Sequence, residues 1–203
     1  MVVSRAEDLE AAASWMQRIA EGDAASYRRL VDTHSKPILA YSERLLRNRQ
    51  EAEEVAQETF LRAWQHAERY RAEVRLSTWL HAIAHNLAID RLRKKRPVPA
   101  SDMLETAPDS GRSPNVLLER KQSVLAVRSA LDALPERQRA ALTLTHHQGL
   151  SHADAAHVLG VNVTAVESLV ARARRALRES LRTGAAGGAG SRTDDAGKET
   201  SES

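Results

Sequence analysis

The chain has 203 residues, a formal net charge of +3 and only 3% aromatic residues, so its cores are built from Leu, Ala, Val and Ile. That length suits one ordinary domain or two small ones. The absence of cysteine excludes disulfides and thiolate metal sites and fits a reducing cytoplasm; no apolar run is long enough to span a membrane, and the N-terminal MVVSRAEDLEAAASW lacks the basic-then-apolar start of a secretory leader.

Two blocks read as helical, Leu9 to Arg96 and Leu118 to Arg182, because they are rich in Ala, Leu and Arg and poor in glycine. The predicted fold class is all-α: two small helical domains joined by a flexible linker, the C-terminal one carrying a helix-turn-helix. The expected boundaries are a flexible N-terminus over 1–10, a first domain over 11–96, a linker over 97–117, a second domain over 118–182 and a disordered tail over 183–203. Within the first block, RNRQEAEEVAQETFLRAWQHA repeats apolar residues at steps of three or four: Ala52, Val55, Ala56, Phe60, Ala63 and Trp64. The other face carries Glu51, Glu54, Gln57, Glu58 and Arg62, which is either a solvated acidic surface or a contact for a partner.

Tyr70 to Leu76 reads as a short loop, and Ser77 is a candidate cap for the helix that follows. In that helix Trp79, Leu80, Ile83, Ala84 and Leu87 form an apolar stripe, with Asn86 and Asp90 at its edge. It ends in RLRKKR, five basic residues in the six positions Arg91 to Arg96. Cations at a helix C-terminus gain only about 0.3–1 kcal/mol each from the helix dipole. A cluster of this size fits phosphate better, since each such contact displaces a counterion; a solubilising helix end is the alternative.

The stretch PVPASDMLETAPDSGRSPN holds four of the six prolines, which break helices, and reads as the linker. The tail TGAAGGAGSRTDDAGKETSES has no apolar periodicity and cannot offset its ordering entropy by burial.

The second block has the clearest pattern. LDALPERQRAALTLTHHQG predicts a short helix, Pro135 in the first turn of the next, and a helix continuing to Gly149. Ser151 and Asp154 then form a capping box. Small Ala156, turn-compatible Gly160 and apolar Val166 and Leu169 fit a helix-turn-helix whose second helix runs from Val163 to about Leu181. In such a motif the second helix enters the major groove, which makes Asn162, Thr164, Glu167 and Ser168 candidate base readers. Arg172, Arg174 and Arg175 are candidate phosphate contacts that fix register. His146, His147, His152 and His157 cluster in sequence, but His152 and His157 are five apart rather than four, so no metal site is expected. No nucleophile-base-acid arrangement, phosphate loop or carboxylate pair appears, so neither catalysis nor a cofactor is expected.

These segments together resemble the bacterial sigma factors of the extracytoplasmic-function group, over roughly Ala24 to Arg182. EAEEVAQETFLRAW is similar to the helix that docks on the clamp coiled coil of RNA polymerase, which implies that Glu54, Gln57 and Glu58 contact core polymerase. STWLHAIAHNLAIDRLRKKR is similar to the helix that melts and reads the minus-ten promoter element. That likeness implies a base-reading role for Asn86, backbone roles for Asp90, Arg91 and Arg93, and a loop at Tyr70–Leu76 that captures a flipped base. The second block is similar to the domain that reads the minus-thirty-five element. The resemblance implies promoter DNA and core RNA polymerase as partners, an anti-sigma factor that clamps the two domains, a cytoplasmic setting and no enzymatic activity. It also implies that the linker threads toward the polymerase active-site channel, with Asp102, Glu105 and Asp109 giving it nucleic-acid-like charge.

The chain departs from the family at His85, where arginine is frequent, at His146 and His147, where aromatic residues are frequent, and at Glu167 and Leu169 in place of a basic pair. Leu169 also fits the helix-turn-helix core, and the departures bear on promoter preference. Promoter elements about 25 base pairs apart span roughly 85 Å, whereas a domain of about 80 residues has a radius of gyration of only about 12 Å. On DNA the two domains must therefore stand apart. Two other functions fit parts of the sequence: a free-standing helix-turn-helix regulator, and a helical interaction protein that binds a regulator and no DNA.

Overall fold

A computed structural model describes residues 5–95 and 126–189, and among them all regular structure is helical. The helices are α1 (Arg5–Ala20), α2 (Ala24–Leu46), α3 (Arg49–Gln65), α4 (Leu76–Lys95), α5 (126–132), α6 (Glu136–Leu142), α7 (His152–Leu159) and α8 (Val163–Ala189). A 3-10 turn at Ala67–Arg69 and a π turn at Thr143–His147 complete them. The linker expected over 97–117 and the part of the tail beyond residue 189 lie outside the described residues. α1 reaches back to Arg5, into the stretch read as a flexible end, and α8 runs on past Arg182.

The first unit is α1–α4. Asp23 caps α2 by accepting the Ala25 and Ser26 amides, and the Asn48 side chain caps α3 by accepting the Glu51 amide at 3.1 Å. The core contains Met16, Ile19, Leu30, Ile38, Tyr41, Leu45, Val55 and Leu80, all essentially without solvent contact. Ala52, Ala63, Ala84 and Ala88 are fully covered as well; a methyl side chain lets neighbouring helix backbones approach closely. Ser42 and Thr59 bury their hydroxyls by donating to the carbonyls four residues back, Ile38 and Val55. α4 starts at Leu76, so Ser77 lies inside its first turn rather than capping it, and the Ser77 carbonyl sits 2.7 Å from His81 Nδ1.

The second unit is α5–α8. Pro135 stands at the N-cap of α6, one residue ahead of the expected helical position, and its carbonyl accepts the Arg139 amide at 3.0 Å. The helix expected to continue to Gly149 changes at Thr143 into a π turn, closed by the Gln148 amide on the Thr143 carbonyl. Ser151 caps α7: its hydroxyl oxygen accepts the Asp154 amide at 3.0 Å and its hydrogen is donated to the Asp154 carboxylate at 2.6 Å. Gly160 ends α7 with φ +62°, in the left-handed region that glycine enters without a Cβ penalty. Val166, Val170 and Ala173 of α8 are buried against the unit's other helices.

The two units also pack against each other. α4 lies on α7, and α2 lies on α6 and the π turn. Buried Arg139 donates from Nη2 to the Leu45 carbonyl of α2 at 3.1 Å, and Arg47 pairs with Asp132 at 3.7 Å. His85 and Ile89 of α4 face Ala140, Leu159, Val161 and Leu169 across a cavity of about 250 Å³. The structure is therefore a closed arrangement of the two units. α4 permits closure because it is apolar on more than one side: Leu80, Ala84 and Leu87 are buried, and Ile89, half-buried, also borders the second unit.

Candidate nucleic-acid interface

Three surfaces carry the expected functional residues. On α3, at about 100° per residue, Glu54, Gln57 and Glu58 share the side opposite Ala52, Ala56, Thr59 and Ala63, all of which are buried. Glu54 and Gln57 are exposed and Glu58 is half-exposed. The same side holds Leu61, 48% exposed, and its flank holds Trp64, 38% exposed. Trp64 was expected in the buried stripe. It lies at the surface instead, its ring edge-on to Tyr27 with centroids 4.5 Å apart. Apolar spacing alone does not mark either residue as a surface feature, although Leu61 follows Gln57 and Glu58 by one helical turn. An acidic rim beside an exposed leucine and tryptophan suits a helical protein partner better than nucleic acid.

On α4, Asn86, Asp90 and Arg93 fall on one exposed side, with Arg93 3.8 Å from Asp90. Arg91 points elsewhere: it is half-buried and donates to Glu54 of α3 at 2.5 Å. Lys95 pairs with Glu51 of α3 in the same way. The basic cluster is thus divided. Arg91 and Lys95 tie α4 to α3, while Arg93 and Lys94 remain exposed; Arg96 lies outside the described residues. Half-exposed pairs of this kind contribute at most about 1 kcal/mol each. The loop between the 3-10 turn and α4 is held by the Tyr70 hydroxyl, which donates to the Val74 carbonyl at 2.8 Å, and Tyr70 packs edge-on to Trp79 with centroids 5.5 Å apart. Trp79 lies on the same side of α4 as Asn86, two turns earlier.

On α8, Thr164, Ser168 and Arg175 share the exposed side opposite Val166, Val170 and Ala173, with Glu167, Arg172 and Arg174 on its flanks. Asn162 has a different first duty: its side-chain oxygen accepts the Ala165 amide at 2.8 Å and caps α8, which leaves its amide hydrogens and one lone pair of that oxygen for a base. Glu167 sits 3.8 Å from His152 of α7. Leu169 is half-buried and borders the cavity toward α4, so it serves packing. The faces on α4 and α8 both remain exposed while the two units are closed.

Four histidines are held toward their neutral form. Burial lowers His85 to about 4, with the Arg137 charge adding to the effect, and its Nδ1 lies 2.7 Å from the Tyr41 hydroxyl. Burial also lowers His81, although hydrogen bonds to the Ser77 carbonyl and Gln148 oppose the shift. His34 is lowered by burial and by His81. His147 is lowered by burial and then by Arg44 and His146. Among the described residues no group of three or more His, Asp and Glu side chains could hold a metal, and no helix is long and apolar enough to cross a membrane.

Residues 30–98 match the family model for sigma-70 region 2, and residues 125–177 match that for sigma-70 region 4. The chain is 34% identical to the RNA polymerase sigma-H factor of Pseudomonas aeruginosa, over 82% of this chain and 91% of that protein. It is 32% identical to the ECF RNA polymerase sigma factor SigM of Mycobacterium tuberculosis, over 79% of each. Its fold is similar to that in the structure of CnrH in complex with the cytosolic domain of CnrY, with a TM-score of 0.65 and 24% identity over 84% of this chain and 97% of that one.

Proposed function

The chain belongs to the extracytoplasmic-function group of the sigma-70 family, and from that premise we propose how its residues divide the work. It is a sigma factor, not an enzyme: it acts with core RNA polymerase to direct transcription initiation at promoter DNA. In the proposed division, residues 11–96 form the unit that docks on core polymerase and reads the minus-ten element. Residues 118–182 form the unit that reads the minus-thirty-five element, 97–117 join them, and 183–203 are dispensable for promoter recognition.

Glu54, Gln57 and Glu58 dock on the polymerase, with Leu61 and Trp64 adding apolar contact beside the acidic rim. Asn86 reads a minus-ten base while Asp90 and Arg93 hold the adjacent strand. Arg91 acts indirectly, by fixing α4 to the docking helix through Glu54. Thr164, Glu167 and Ser168 read the minus-thirty-five element; Arg172, Arg174 and Arg175 hold its phosphates, and Asn162 orients the helix from its cap. The observation that carries this division is the segregation of exposed polar side chains on α3, α4 and α8 to the sides facing away from the core.

The closed arrangement is proposed as the idle state, since two units in direct contact cannot reach elements about 85 Å apart. Docking on polymerase then opens it. An anti-sigma partner that binds both units at once would hold them idle, and the chain works in the cytoplasm, where polymerase and promoters are. A signal that releases this partner makes initiation responsive to stress. Run-off transcription with purified core polymerase on pooled genomic DNA tests the proposal. Discrete new transcripts that disappear with Asn86→Ala are expected. Tight, sequence-specific footprinting of duplex DNA by the chain alone, with no effect on polymerase, would instead establish a free-standing regulator.

A further inference from the structure

A second cavity, of about 420 Å³, lies between the units, walled on one side by α2 and on the other by α5, α6 and the π turn. Its lining is rich in cations: Arg44 of α2, Arg47 at that helix's C-cap, and Arg128 and Arg139 of the second unit, with His147, held toward its neutral form, beside them. Two carboxylates border it, but each is already engaged. Glu43 pairs with Arg49 at 3.7 Å and Asp132 with Arg47 at 3.7 Å. Among the described residues Arg44, Arg128 and Arg139 have no carboxylate within ion-pair distance.

Arg139 is the decisive residue. It is only 5% exposed, its terminal nitrogens donate to main-chain carbonyls of Leu45 and Leu134, and its Nε has no hydrogen-bond partner. A buried guanidinium whose hydrogen bonds go only to neutral carbonyls is costly, and an anion in the cavity that Arg139 lines lowers that cost through its opposite charge. Arg139 is held below its usual range by burial and by Arg47, and His147 by burial and by Arg44. Burial is the larger cause of both shifts; Arg47 and Arg44 add to it, while Asp132 and Glu136 oppose the shift of Arg139. Ala40, Val127 and Leu131 supply an apolar wall beside the charges. The volume falls within the range of small-molecule sites, about 300–1,000 Å³.

We propose that this cavity binds a phosphorylated small molecule of about nucleotide size, its phosphates against Arg44, Arg128 and Arg139 and its remainder against Ala40, Val127 and Leu131. Both units wall the site, so it exists only in the closed arrangement. Ligand binding therefore favours closure by linkage, and opening expels the ligand. Resting on the reading of the closed arrangement as idle, the ligand acts as a brake on sigma activity.

The test is calorimetry on the full chain with inorganic phosphate, pyrophosphate and ADP, each without metal. One saturable site per chain is expected, tighter for ADP or pyrophosphate than for phosphate. Arg44→Gln with Arg128→Gln, both at exposed positions, should weaken it at least tenfold without changing the melting temperature. Arg174→Gln with Arg175→Gln, on the proposed DNA face, should leave it unchanged. Tightest binding of ADP points to a nucleotide, and tightest binding of pyrophosphate to a free polyphosphate. No saturable binding of any probe, or binding lost with the Arg174/Arg175 variant rather than the Arg44/Arg128 variant, overturns the site. Because binding is read without polymerase, these outcomes are independent of whether the closed arrangement is idle.

Discussion

Mild acid should open the two units, with His85 as the principal group. His85 lies at their junction: the Tyr41 hydroxyl of α2 meets its Nδ1, Glu136 and Arg137 of α6 border the same cavity, and His81 precedes it by one turn on α4. Its folded value of about 4 lies below the ordinary 6.5. A depressed histidine is stabilising while neutral. Its contribution is fully present above the unfolded value and is lost as pH falls from about 6.5 toward about 4. The full difference of 2.5 units corresponds to about 3 kcal/mol at about 1.36 kcal/mol per unit. At pH 5.5 about 1.4 kcal/mol of it is gone, a tenfold shift in the equilibrium. These are upper values, because part of the burial of His85 comes from its own unit. His81 and His147 shift in the same direction, so they add to the effect rather than oppose it. The chain has no cysteine, so Gln65→Cys with Ser180→Cys gives a clean dye pair across the units, both positions being exposed. Transfer efficiency should fall between pH 7.5 and 5.5 while helical circular dichroism holds, and His85→Gln should flatten most of that change. A pH response of equal size in the His85→Gln chain would refute the reasoning.

Glu54→Arg with Glu58→Arg should weaken binding to core polymerase by tenfold or more in an anisotropy assay. The accompanying loss of the half-exposed Glu54–Arg91 pair should lower stability by no more than about 1 kcal/mol. Asn86→Ala should reduce open-complex formation, read by permanganate footprinting, by about tenfold or more, consistent with about 1–3 kcal/mol for a base contact, and leave polymerase affinity unchanged. Leu80→Ala, at a fully buried position, should cost about 2–5 kcal/mol in urea unfolding. Ser151→Ala removes the cap of α7 and should cost about 1 kcal/mol, visible as a lower melting temperature of the chain.

Much of the architecture is local and could be read along the chain. The helical period of Ala52, Val55, Ala56 and Phe60 placed α3 and its polar face, because a side chain's position around a helix follows from spacing alone. Ser151, Gly160 and Val166 marked the helix-turn-helix, since a cap, a left-handed glycine and an apolar return each act over a few residues. What the chain order does not encode is which polar groups meet across distance. Spacing alone reads Arg91 as a phosphate ligand and Asn162 as a base reader; it does not tell that α3 brings Glu54 to Arg91 or that the Asn162 side chain also closes on the start of its own helix. Trp64 had the right spacing for the core, but no helix covers that flank fully. The closed contact between the units was least visible of all. It depends on a second face of α4, on Arg139 reaching a carbonyl 94 residues away, and on histidines whose neutrality is set by what encloses them. The sequence by itself determined most of the helical segments, the polar faces of α3 and α8, and the family resemblance, because those follow from short-range periodicity and motif order. The tertiary structure decided the pairing of charges, the exposure of Trp64 and the closure of the two units, because burial and electrostatics are sums over neighbours that only folding brings together.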